Sequence, residues 1–256
     1  MQAESRPHSL AGRCAVVTGV GSGLGQAVAR ELAAEGAQVV GCDVNDASGR
    51  ATMDGIGVYQ HADVSREREV QALIEAVVQR HGRLDVMVNN AAIQIEEELA
   101  ETSEEQLDRI LAVNLKGVFF GCKHAVRAMR PAGGGVIVNV ASILGLVADG
   151  ILAAYCAAKG GVLGITRATA VQYGGDGIRC NAVCPGDIDT PLVQAYFDTA
   201  DDPAALRAQV SGEYPLQRIA HPREIARAVV FLAGDDSSFM SGQPLVVDGG
   251  LLATCY

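Results

Sequence analysis

Seven short, apolar, β-branched runs alternate with longer helical stretches along this chain, and few architectures other than a layered α/β sheet accept that order. The runs are CAVVTG, AQVVGCD, VYQHADV, LDVMVNNA, VIVNVAS, IRCNAVCPG and PLVVDGG. They do not alternate apolar with polar residues, as a strand with one wet face would, so both faces must be covered. Helical stretches run from about Gly23 to Glu35, after Ser65, from about Ser103 to Met129, around Tyr155, and through ARAVVFLA. Repeated strand-helix-strand units predict a doubly wound, seven-stranded parallel sheet with helices on both faces. With 256 residues, 49% of them hydrophobic, and no break in composition, a single domain spanning 1–256 is expected.

Local signals place several helix ends. Ser103 with Gln106 fits a capping box, Ser65 is expected to cap the third helix, and Pro222 suits a first helical position. The stretch from about 187 to 215 joins strand to helix with acidic, proline and aromatic residues and a weak core pattern, which suggests a lid over a substrate.

A formal charge of −10 argues against nucleic acid or an anionic membrane as partner. No run approaches the roughly 20 apolar residues of a membrane span, and MQAESRPHSLAGR lacks the apolar middle of a secretory signal. A soluble, cytoplasmic protein is expected. The seven cysteines (14, 42, 122, 156, 180, 184 and 255) read as free, mostly buried thiols. Neither they nor the histidines at 8, 61, 81, 124 and 221 form a ligand pattern, so no metal is expected.

TGVGSGLG follows the first strand and opens a helix, placing glycines at 19, 21, 23 and 25 where backbone can approach a pyrophosphate. By itself such a loop is also read as a tight turn. Asp43, at the end of the second strand, adds a carboxylate that can bind the adenosine ribose hydroxyls and repel a 2′-phosphate. No cation lies in the loop or in Val44-Asn45-Asp46, so NAD is expected rather than NADP. Together the loop and the sheet make a Rossmann-type domain.

Downstream, Tyr155 and Lys159 lie four residues apart in AAYCAAKGGVLGITRA, on one face of a helix, and Ser142 ends the fifth strand. Singly, each has an ordinary structural reading as core filler, solvated helix face or strand-end cap. Jointly, below a glycine loop, they suggest hydride-transfer chemistry, with Tyr155 as general base, Lys159 and the positive nicotinamide lowering its pKa, and Ser142 donating to the substrate oxygen. Asn114 sits inside a helical pattern that it suits poorly, which predicts a kink or an ordered water.

These residues make the chain resemble the short-chain dehydrogenase/reductase family from about Leu10 to Gly250. The T-G-x-x-x-G-x-G loop matches Thr18, Gly19, Gly23 and Gly25. The strand-end acid matches Asp43, the D-V pair Asp63 and Val64, and the N-N-A-G run Asn89 to Ala92, with alanine in the last place. The resemblance implies a catalytic set of Asn114, Ser142, Tyr155 and Lys159, with a proton relay through water and Lys159. It implies a cofactor site of Gly19, Gly21, Ser22, Gly23, Leu24, Gly25, Asp43 and Val44; of Asp63 and Val64 beside adenine; and of Asn90, Ala91, Tyr155 and Lys159 near the nicotinamide ribose. Pro185, Gly186, Ile188 and Thr190 would complete it. It also implies a homotetramer, with helices near 103–130 and 152–174 in one interface and the C-terminal region, including LLATCY, in another.

The expected pocket lining is Gln94, Ile143, Leu144, Ile151, Leu152, Leu192, Tyr196 and Phe197, mostly apolar, which favours a hydrophobic or alicyclic secondary alcohol or its ketone. Gln94 and Asp149 leave a sugar or polyol open. A 3-oxoacyl reductase acting on a carrier protein is a second reading, weakened by Asp43 and by a basic patch limited to Arg127 and Arg130. A methyltransferase would have no use for Tyr155 with Lys159, and a catalytically silent NAD sensor would not need the full set of four.

Overall fold

The computed structural model describes residues 9–254. His8, Cys255 and the end of the LLATCY tail lie outside the described residues, as does most of the N-terminal segment read for a signal. Strands β1 (Cys14–Thr18), β2 (Gln38–Asp43), β3 (Gly57–His61), β4 (Val86–Asn89), β5 (Gly135–Val140), β6 (Ile178–Pro185) and β7 (Pro244–Val247) form one sheet in the order 3-2-1-4-5-6-7. All six pairings are parallel.

Between the strands run α1 (Gly23–Ala34), α2 (Asp46–Met53), α3 (Glu67–His81), α4 (Glu104–Leu111), α5 (Gly117–Met129), α6 (Ala153–Tyr173), α7 (Pro191–Phe197), α8 (Pro203–Glu213) and α9 (Pro222–Ala233). Successive strand residues point to opposite faces, which explains the unbroken apolar runs. Cys14 and Val16 join a core with α3, α5 and α6, while Ala15 and Val17 join another with α1 and α9. Each fully buried valine or leucine in these layers contributes roughly 1.5–3 kcal/mol.

The order of strands reverses between β1 and β4, and all carboxyl ends point one way, so their loops converge around a crevice there. Ser103 and Gln106 form the expected capping box, and Pro222 opens α9. Ser65 does not cap α3. Its backbone N–H and hydroxyl both donate to Asp63 Oδ1, at 2.9 and 2.7 Å, and Arg66 takes the cap position without a side-chain bond. An Asx-type turn has outcompeted the cap.

Helix α2 had no sequence expectation. Its eight residues include Gly49, and part of what holds it comes from β3: Asn45 accepts the Ser48 N–H, and Tyr59 packs where a Gly49 Cβ would stand. The 187–215 stretch carries α7 and α8, each begun by proline at its first helical turn. Five described cysteines are buried and Cys156 is partly exposed.

Candidate active site

The glycine loop is shaped by close approaches. Gly19 and Gly23 have φ of +73° and +54°, which few side chains tolerate. A Cβ on Gly25 would stand 1.9 Å from the Gly19 carbonyl oxygen, and one on Gly21 would stand 2.9 Å from Asp43 Oδ2. The Gly21 N–H donates to that oxygen at 2.8 Å, and Asn45 N–H to Oδ1 at 2.9 Å. Ser22 occupies the N-cap of α1 without making a side-chain cap bond, and Leu24 anchors the helix in the core. The cradle fits a dinucleotide pyrophosphate: a bare backbone, a helix N-terminus, and a carboxylate at the strand end.

The wall beyond is built by β4. Thr18 Oγ1 accepts the N–H groups of Asn90 and Ala91, both at 3.0 Å, while Asn90 Nδ2 donates to the Thr18 and Gly19 carbonyls at 2.8 and 3.2 Å. Asn90 therefore ties two loops together. Asp63 is held by Ser65 and Arg66, Val64 is buried against Gly117, and Val44 is exposed. On the far side, the Gly186 N–H donates to the Val247 carbonyl at 3.2 Å. Pro185 ends β6, Ile188 bridges to Ala220, and Thr190 packs its methyl where a Gly23 Cβ would be.

Asn114 is wholly buried in a five-residue π-helical turn, Ala112–Lys116, between α4 and α5. The helix departs from α geometry at this residue, where a kink or an ordered water was expected. Its Oδ1 accepts the Ile93 N–H and its Nδ2 donates to the Ile93 carbonyl, both at 2.8 Å, fixing the segment after β4. Such turns concentrate at functional sites because they reposition one residue within a helix.

Tyr155 and Lys159 stand one turn apart on α6, next to Ser142 at the end of β5. Lys159 Nζ is 5.4 Å from the Tyr155 ring centre and donates to the Val140 carbonyl at 2.8 Å. Ser142 Oγ accepts the Leu144 N–H at 3.1 Å. Burial, rather than mutual charge, dominates here. It lifts the Tyr155 phenol well above its ordinary range, opposed by the Ser142 hydroxyl and assisted by the charges of Cys156 and Asp187. Burial also lowers the Lys159 ammonium to about 8. Each group alone is held toward neutrality.

Around this centre, Ile143 and Leu152 are buried, Leu144 is partly covered, and Ile151 and Leu192 are exposed. Gln94 is turned to Glu96 at 3.0 Å, and Asp149 accepts the Ile151 N–H at 2.9 Å. Phe197 is not a lining residue. At 1% exposure it forms a small core with Tyr214 and Ile219, because α7 and α8 need a hydrophobic centre of their own. Sequence reasoning passed over Asp187 and Tyr214, whose hydroxyl bonds to Asp187 at 2.7 Å. Asp187 follows Pro185-Gly186 directly, which was a usable signal; nothing in the sequence marks Tyr214.

Comparison with known proteins agrees with this geometry. A family model described as enoyl-(acyl carrier protein) reductase matches residues 19–252. The chain is 44% identical to cis-4-hydroxycyclohexanecarboxylate dehydrogenase of Sinomonas cyclohexanicum, over 96% of this chain and 99% of that one. It is 41% identical to 2-(R)-hydroxypropyl-CoM dehydrogenase of Xanthobacter autotrophicus, over 94% and 99%. The solved ligand-free aldohexose dehydrogenase of Thermoplasma acidophilum superposes with a TM-score of 0.91 at 32% identity, covering 98% of both chains. The chain belongs to the short-chain dehydrogenase/reductase family and is an oxidoreductase of CH–OH groups that uses a nicotinamide cofactor.

Proposed function

We propose that this enzyme interconverts a compact hydrophobic or alicyclic secondary alcohol and its ketone with NAD, as a cytoplasmic homotetramer. The observation that carries the reading is the convergence of Ser142, Tyr155 and Lys159 at the strand ends that also carry the glycine loop. A relative named for a hydroxycyclohexane ring supports the alicyclic substrate, as do the apolar Ile143 and Leu152.

The glycine loop and Asp43 would hold NAD, which when bound would supply the acceptor for the hydride of the carbinol carbon. Tyr155 takes the hydroxyl proton, and burial makes this hard for a bare phenol, so its anion needs a positive neighbour. Lys159 is that neighbour from the chain itself. Its amine keeps its proton below about pH 8 and spends one donor on Val140, leaving others for the cofactor ribose and the proton relay. Ser142 accepts from Leu144 N–H, and its own proton, which faces the Tyr155 oxygen, is the donor offered to the substrate oxygen. Asn114 positions the wall by clamping Ile93 and is engaged at both amide atoms. The α7-α8 segment, about 187–215, acts as the lid.

NAD preference is supported by two carboxylates. Asp43 is aimed by Gly21 and Asn45, and Asp46, held by Tyr59 at 2.8 Å and His61 at 2.7 Å, adds a second negative charge nearby. Arg50 is stacked 5.1 Å over the Tyr59 ring. The tetramer is supported by apolar side chains left in water on α5 and α6, Phe119 and Val171, and by Phe239 before β7.

The test is initial rates, followed by NADH absorbance, over a panel of secondary alcohols with each dinucleotide. NAD should be favoured over NADP by roughly a hundredfold in kcat/KM, since unneutralised like charges cost several kcal/mol. Asp43→Ala should erase most of that preference. Equal use of both cofactors removes the NAD assignment, and absence of turnover with every alcohol removes the reaction.

A further inference from the structure

Asp187 has no part in the chemistry above, yet its placement is restrictive. Its N–H donates to the Tyr214 hydroxyl at 2.7 Å, and its Oδ2 accepts from the same hydroxyl at 2.7 Å. The Tyr214 ring, buried at the end of α8, leaves no room for a Cβ on Gly186, which would stand 2.9 Å from it. These contacts fix the direction of the carboxylate and occupy one of its oxygens. Oδ1 accepts no hydrogen bond from any described residue and is not a sealed-off atom, so it opens into free space.

That oxygen stands at the active-site end of the sheet: Asp187 follows β6, whose Val183 carbonyl accepts the N–H of Ala141, next to Ser142, at 2.9 Å, and its charge reaches Tyr155 and Tyr196. No lysine, arginine or histidine among the described residues pairs with it, whereas Asp189, two positions on, is held by both guanidinium nitrogens of Arg207 at 2.9 and 2.7 Å. The neighbours of Asp187 carry its own sign. Burial raises its carboxyl and Asp149 raises it further, while Glu96, Asp149 and Glu213 all act on Tyr196. A desolvated carboxylate without a cation is compensated only when something else brings the donor.

We propose that Asp187 determines substrate specificity: its free oxygen accepts a hydrogen bond from a second donor group of the substrate, a hydroxyl or an ammonium beside the carbinol, and turns away an anionic group at that place. The inference rests on the alcohol dehydrogenase reading of this site. It makes the preferred substrate a diol, hydroxyketone or amino alcohol in an otherwise apolar pocket.

The experiment measures kcat/KM with NAD for cyclohexanol, cyclohexane-1,2-diol, 2-aminocyclohexanol and 2-hydroxycyclohexanecarboxylate, on the wild type, Asp187→Asn and Tyr214→Phe. NADH binding shows whether each variant is folded. The wild type should favour the diol or the amino alcohol over the carboxylate, and Asp187→Asn should shrink that ratio by about tenfold to a hundredfold, the range of a charge-assisted hydrogen bond. Whether the diol or the amino alcohol loses more identifies the donor. Tyr214→Phe, which keeps the charge, should preserve the order of preference. A wild type that prefers the carboxylate overturns the proposal without recourse to any variant. Turnover of cyclohexanol with ratios that Asp187→Asn leaves unchanged overturns the proposal alone. No turnover of any compound overturns the dehydrogenase reading with it.

Discussion

The two ends of the sheet use similar residues to opposite effect. At the amino-terminal ends of the strands a cavity of about 660 Å³ opens, lined by Arg13, Arg83, Asp85, Gly134, Gly177, Arg179 and Asp235 among others. Its charges are all engaged. Arg13 donates to the Ala233 carbonyl and Asp235, Arg83 Nε to both oxygens of Asp85, and Arg179 to the carbonyls of Leu232, Gly234 and Met240. At the carboxyl ends, by contrast, desolvation holds the buried Lys159 and the half-buried Tyr155 away from their charged forms, Asp187 pairs with no cation among the described residues, and Ser22 makes no side-chain cap bond. Volume and charge alone do not mark a site. Polar groups left electrostatically incomplete do.

The contrast breaks most readily at Tyr155. Tyr155→Phe should lower kcat by about 10²- to 10⁴-fold, the usual contribution of a general base, with NADH binding retained. Activity within tenfold of wild type would place the base elsewhere.

Lys159 gives the next largest effect, in stability. Its native pKa of about 8 lies below the 10.5 of a free lysine, so the buried charge weighs fully against the fold below pH 8 and is relieved as pH rises to 10.5. The Lys159 contribution to stability should therefore climb across that window, by up to about 3 kcal/mol, while the buried thiols of Cys14, Cys42, Cys180 and Cys184, all pushed above their ordinary value of 9.0, work against it above about pH 9. Above pH 10 the raised phenol of Tyr155 acts in the opposite sense, because the unfolded chain ionises first. Lys159→Met should flatten the climb and stabilise the fold near pH 7 while abolishing turnover. Urea melts at several pH values would show it, and a climb that survives the substitution would assign it to another group.

Two glycines sharpen the contrast, because a Cβ on either would run into backbone. Gly25→Ala drives a Cβ to 1.9 Å from the Gly19 oxygen, and Gly134→Ala drives one to 2.4 Å from the Gly177 oxygen at a φ of +127°. Each should destabilise by about 1–3 kcal/mol, but only the first should raise KM for the cofactor. The smallest effect belongs to Asp235→Asn. This carboxylate is 84% exposed, so losing its bond to Arg13 should change stability by less than about 0.5 kcal/mol and leave the kinetics alone.

Much of this was legible in the residues. The seven strands were marked by unbroken apolar runs, because a strand covered on both faces needs no polar positions. The glycine loop, Asp43, and the spacing of Tyr155 and Lys159 were visible because each is a local pattern. Helix α2 was not, since it depends on Tyr59 from β3. Nor was the fate of Ser65, decided by Asp63, or that of Phe197, taken into a core that exists only once α7 and α8 meet.

Periodicity and spacing, which act over a few residues, were enough to specify the sheet, its coverage by helices, and the chemical groups at one end of it. How those groups are charged and what they lack came from folding. Burial sets the ionisation of Tyr155 and Lys159, Ile93 occupies Asn114, and a tyrosine 27 residues away aims Asp187. Desolvation and pairing depend on neighbours that the chain brings together only by folding.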